Sequence, residues 1–139
     1  MAFVFTYHKV KFKLDKVAGI KKWIEAIAKT EKKAIGGINY VFVGDDELLK
    51  LNKQYLKHNS YTDIITFDYS EPKEISGDIF ISIDRVKDNA KKFKVKFDDE
   101  LHRVMIHGVL HLCGYKDKTP KDAREMRKKE DFSLGKRAF

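Results

Sequence analysis

From Leu101 to Cys113 nearly every position is apolar: Leu101, Val104, Met105, Ile106, Val109, Leu110, Leu112 and Cys113. A helix that is hydrophobic on all sides belongs at the centre of a fold, with other elements packed around it. Yet this stretch also carries His107 and His111. Four residues apart on a helix, the two imidazoles share one face, one turn apart. Two nitrogens held that way can grip one metal ion. Six residues after His111, just past the helix-stopping Gly114, stands Asp117, a candidate third ligand. Three protein ligands leave a coordination position open, as hydrolytic metal sites do and structural ones do not.

The plainer alternative is a pair of core histidines bonded to backbone carbonyls. Gly108 weighs against it. A glycine inside a helix costs roughly 1 kcal/mol relative to alanine, so its place between the two histidines predicts close approach of another backbone or of a substrate. The segment matches the His-Glu-x-x-His pattern of zinc proteases only in part. Gly108 stands where those enzymes carry their general base, which argues against a peptidase of that type. His102 lies about 140° around the helix from His107 and faces elsewhere. His8 and His58 fall in other elements, and Cys113 reads as a small buried hydrophobe.

The chain has 139 residues, expected to form one domain over 1–139. Its 29 Lys and Arg against 21 Asp and Glu leave a net charge of +8, which attracts polyanions, nucleic acid foremost. No apolar run approaches the roughly 20 residues of a membrane span, and the N-terminus lacks the pattern of a secretory signal. The single cysteine fits a reducing cytoplasm.

Alternation predicts strands at Phe3–Phe12, Ile38–Val43, Asp63–Tyr69 and Gly77–Ile83, with Gly36-Gly37 as a break before the second. Helices are expected after Asp15, from Asp45, from Asp84 to about Phe93, from Asp98, and from Thr119-Pro120 to about Asp131. The reading is an α+β domain with one small mixed sheet packed with several helices.

His107-Gly108-Val109-Leu110-His111-Leu112-Cys113-Gly114-Tyr115 resembles the signature of the YbeY family of bacterial endoribonucleases. Leu51-Asn52-Lys53-Gln54-Tyr55 with Thr62-Asp63-Ile64-Ile65-Thr66-Phe67, and Gly77-Asp78-Ile79-Phe80-Ile81-Ser82, resemble two further family segments in the same order. The resemblance implies a zincin-like domain and one divalent ion, zinc by expectation, held by His107, His111 and Asp117. It also implies single-strand-specific RNA cleavage in ribosomal RNA processing, including the 3′ end of the small-subunit RNA, and ribosome quality control. Partners would be single-stranded RNA and the ribosome, with no membrane and no DNA. The alternative is a ribosome-associated RNA-binding protein with a structural metal.

Three positions depart from the family pattern. Asp117 replaces the usual third histidine and makes the site harder and more negative. Leu56 replaces an arginine that would hold phosphate bidentately, leaving Lys57 as a candidate phosphate contact. Tyr61 replaces a proline and offers a stacking ring. Lys91, Lys92, Lys94 and Lys96 are further candidates for the RNA backbone, and no catalytic base is assigned.

Overall fold

The computed structural model describes residues 2–139. In the order β1 α1 β2 α2 β3 β4 α3 α4 α5, the described residues form strands β1 (Phe3–Tyr7), β2 (Ala34–Val43), β3 (Ile64–Asp68) and β4 (Glu74–Ser82) and helices α1 (Val17–Thr30), α2 (Asp45–Tyr55), α3 (Ile83–Phe93), α4 (Phe97–Leu112) and α5 (Pro120–Leu134). The sheet order is β1-β2-β4-β3; β1 and β4 run parallel to β2, and β3 runs antiparallel to β4. This is the expected α+β architecture with a small mixed sheet.

The apolar helix α4 lies where its composition demands. Its Leu101, Val104, Met105, Ile106, Val109 and Leu110 join Ile38, Tyr40, Ile75, Ile79 and Ile81 of the sheet and Ile20, Trp23 and Ile24 of α1 in one core. The phenol of Tyr40, fully buried, donates to the carbonyl of Met105 at 2.9 Å, so the one polar atom it brings inside is satisfied. Among the described residues no helix is long and apolar enough to cross a membrane.

Several boundaries differ from the sequence expectation, each for a local reason. The first strand stops at Tyr7 instead of Phe12, because Lys9 takes a left-handed backbone (φ 55) that no strand continues through. Phe12 nevertheless reaches the core, edge-on to Phe42 and Phe97. Gly36-Gly37 does not break the chain; β2 runs through both, with a register shift against β4 between Ile35 and Gly37. A Cβ on Gly36 would collide with the side chains of Ser76 and Glu74, so glycine marks a bulge here.

Three aspartates that mark expected helix starts, Asp15, Asp84 and Asp98, do not cap those helices. Asp15 bonds the backbone N–H of Lys16, which itself starts α1 with no side-chain cap. Ser82, not Asp84, caps α3 by accepting from the N–H of Arg85 at 3.1 Å. Asp84 instead accepts from the N–H of Asp45 at 3.0 Å and serves the start of α2. Helix α4 begins at Phe97, so Asp98, Asp99 and Glu100 all fall in its first turn, favourably placed against the helix dipole. Helix α2 starts at Asp45 as predicted, and so does the last helix: Thr119 accepts from Asp122 N–H at 3.1 Å with Pro120 in the first turn, although α5 continues past Asp131 to Leu134.

Candidate metal centre

Helix α4 presents a stripe at spacing three and four, Glu100, Arg103, Val104, His107 and His111, along one wall of a cleft of about 740 Å³. Residues Thr62 to Thr66, entering and forming β3, line it too. At the C-terminal end of α4 the chain reverses sharply. Gly114 takes φ 107, and Tyr115 N–H returns to the carbonyl of Leu110 at 3.0 Å. The Tyr115 hydroxyl then donates to Glu31 at 2.7 Å and ties this loop to the end of α1.

That reversal brings Asp117 back to the histidines. Its Oδ2 lies 3.2 Å from His107 Nε2 and 3.5 Å from His111 Nε2. One ligand atom from each of the three residues falls within 4.8 Å of the others, a group able to hold a metal ion. The other ring nitrogens are already committed. His111 Nδ1 donates to the carbonyl of Tyr115 at 2.9 Å, and His107 Nδ1 is 2.6 Å from Glu130 Oε2. With Nδ1 donating on the far side, each ring in its neutral form leaves Nε2, the atom beside Asp117, as the nitrogen that can ligate. This donor set, with the tautomers fixed from behind, fits a divalent ion.

Glu130 comes from α5 and is only 5% exposed. Its second oxygen accepts from Arg103 Nη1 at 3.0 Å, and Arg103 Nη2 pairs with Asp131 at 3.0 Å. Burial alone would push His107 down, but the Glu130 bond and charge, with Asp117 and Asp63, outweigh it and hold the imidazole above its ordinary value. His111 is shifted the other way, by burial and by the nearby His107. Asp63 and Glu100 are both raised, chiefly by burial.

The structure brings together all three candidate ligands read from the sequence, His107, His111 and Asp117. It places Lys57 on the exposed surface, in a left-handed conformation (φ 55), between the cleft residues Leu56 and His58 but not lining the cleft. Lys91, Lys92, Lys94 and Lys96 are exposed around the α3–α4 link. Tyr61 is exposed, with the Arg85 guanidinium 5.3 Å from its ring centre. His102 does face elsewhere, buried against Trp23 and Phe139, its Nδ1 2.9 Å from Arg137 Nη1. Cys113 is half-buried, and burial lifts its thiol to about 11. Gly108 does mark a close approach, but of the sheet's side chains: a Cβ there would sit 3.0 Å from Ile79 and 3.1 Å from Ile64.

Sequence reasoning missed Glu130, Arg103, Glu100 and Asp63. Arg103 and Glu100 were legible in principle, standing four and seven residues before His107 on the same helical face. Glu130 has one weak signal, its position four residues after the buried Met126 and three before the buried Ser133 on α5.

Residues 5–137 match the family model described as Endoribonuclease YbeY. Proteins of that name from Cytophaga hutchinsonii and Flavobacterium johnsoniae are 55% and 52% identical over 130 and 127 residues. The first alignment covers 93% of this chain and 91% of the relative; the second covers 91% of each. The Bacteroides fragilis protein is 44% identical over 137 residues, 99% of both chains. The solution structure of TM1509 from Thermotoga maritima superposes with a TM-score of 0.68 at 30% identity, covering 95% of this chain and 86% of that one.

Proposed function

The chain belongs to the endoribonuclease YbeY family, and from that premise we propose that it is a metal-dependent endoribonuclease that cuts single-stranded RNA. Its setting is ribosomal RNA processing in the cytoplasm, including the 3′ end of the small-subunit RNA, and ribosome quality control, with no role at membranes or on DNA. The observation that carries this reading is the convergence of two unspent Nε2 atoms on the Asp117 carboxylate inside a cleft. His107, His111 and Asp117 would hold one divalent ion, zinc by preference for its two imidazoles. When bound, the ion supplies Lewis acidity toward a phosphoryl oxygen.

The chain's own side chains do the rest. Glu130 and the Tyr115 carbonyl keep both imidazoles in the ligating tautomer. Arg103 is tied to Glu130 and Asp131 at 3.0 Å, whereas Arg127 meets Glu130 only at 3.9 Å; the exposed Lys118 and Arg127 of the cleft lining are therefore the cations placed to hold phosphates that Leu56 cannot. Asp63 is a cleft carboxylate whose burial raises its proton affinity toward that of a general base.

The test is cleavage of an unstructured RNA by metal-loaded protein, with His111→Ala as control. Cutting by the wild type that the variant lacks supports the proposal. RNA binding without cutting, in metal-loaded wild type, would favour instead an RNA-binding protein with a structural metal, a reading for which Leu56 at the expected arginine position speaks.

A further inference from the structure

The cleft extends beyond the histidines. Helix α3 ends at Phe93 and α4 begins at Phe97, so a three-residue link sets Phe93 beside the first turn of α4, at the end remote from His111. Phe93 lines the cleft and is 52% exposed. It belongs to neither apolar core cluster and among the described residues pairs with no other aromatic ring; the Lys92 ammonium lies 5.7 Å from its centre. The fold gains little from this ring. Asn89, four residues earlier and so on the same face of α3, also lines the cleft and carries both a donor and an acceptor. Leu56, 46% exposed, adds an apolar edge to the same lining.

The geometry points to a nucleobase subsite here, in which the Phe93 ring stacks on one unpaired base of the RNA strand and the Asn89 amide meets that base's edge. The inference rests on the RNA-cleaving function proposed above and adds what the strand offers besides phosphate. The lining also carries carboxylates, but the exposed Lys118 and Arg127 stand among them to meet the strand's phosphates, which an apolar protein partner would not need. A base is available for stacking only when unpaired, so an aromatic platform beside the metal centre selects single strands over duplex. Helix α4 rises about 10 Å between Glu100 and His107. A base on Phe93 therefore belongs to a nucleotide flanking the scissile phosphate, and it contributes to binding more than to the chemical step.

The experiment is a binding cycle on the metal-loaded protein with a cleavage-resistant 2′-O-methyl oligonucleotide, intact or with an abasic nucleotide at successive positions. Phe93→Ala is expected to lose about ten-fold in affinity for the intact strand, the scale of one stacked base, while Phe93→Tyr keeps it. Removing one particular base should cost the wild type a similar factor and cost Phe93→Ala nothing further. Asn89→Ala should show a smaller loss at the same abasic position. Metal content unchanged in all variants separates this role from a structural one. Phe93→Ala binding like the wild type, or remaining as sensitive to the abasic site, overturns the subsite while leaving the nuclease reading intact. Failure of the wild type itself to bind single-stranded RNA overturns both.

Discussion

At the scale of single residues the site turns on Glu130. A buried carboxylate without partners would be expensive, and this one spends one oxygen on Arg103 and the other on His107. Glu130→Gln keeps the shape but removes the charge that favours a proton on His107 Nδ1. Losses of outer partners of this kind weaken metal binding by roughly 10–100-fold. We expect a fall in that range for zinc, measured by competition with a chelating dye. Unchanged affinity would reduce Glu130 to an anchor for Arg103. Asp117 makes a second prediction. It contributes a charged, hard oxygen where an imidazole would suit zinc better. Asp117→His should raise the ratio of zinc to manganese affinity, and Asp117→Ala should lower affinity for both. A ratio that moves in neither variant would make Asp117 a bystander of the histidine pair.

At the scale of elements the test is Gly108, where two opposing effects can be weighed. Alanine would gain up to about 1 kcal/mol of helix propensity. Its Cβ, however, would press on Ile79 and Ile64 at 3.0–3.1 Å, and overpacking typically costs 1–3 kcal/mol. The sheet should win, so Gly108→Ala is expected to destabilise by about 1 kcal/mol in urea titration with unchanged metal stoichiometry. A stabilised variant would show that the isoleucines yield freely. The same competition explains what the sequence made legible. The existence of α4 and its His pair followed from composition and period, because an apolar run of that length admits few placements. Helix starts were less legible. Ser82 takes the cap expected of Asp84, and Asp84 is spent on a helix 39 residues earlier in the chain. Gly36-Gly37 reads locally as a break, yet β4 pairs with Ile35 before the bulge and with Gly37 after it, and pairing overrides the local signal. Glu130 was hidden for a related reason. Its meaning lies in a contact across 23 residues that no period encodes.

For the molecule as a whole, a chain of net charge +8 gathers buried acids at one place. Asp63 before β3, Glu100 on α4 and Glu130 on α5 line one cleft, brought there by three separate elements. Glu130 has its partners, but Glu100 is 5% exposed and held above its ordinary value of 4.5, first by burial and then by the charge of Asp63, with Arg103 and Arg127 offsetting only part. A raised carboxyl has a definite consequence for stability. Between 4.5 and the folded-state value the native protein binds more protons than the unfolded chain, so stability falls as pH rises through that interval. The contribution is complete below 4.5 and absent above the folded value. An acid that lines the cleft and opposes folding at neutral pH is a cost the fold carries at this place. Glu100→Gln removes the ionisation and leaves the shape. At pH 7 to 8 it should therefore gain on the order of 1 kcal/mol, a rise of a few degrees in Tm, and the gain should shrink to nothing as pH falls below 4.5. Melting curves of both proteins across pH 4 to 8 read this directly. An equal gain at every pH would mean that the amide simply packs better, and that the Glu100 carboxylate carries no strain.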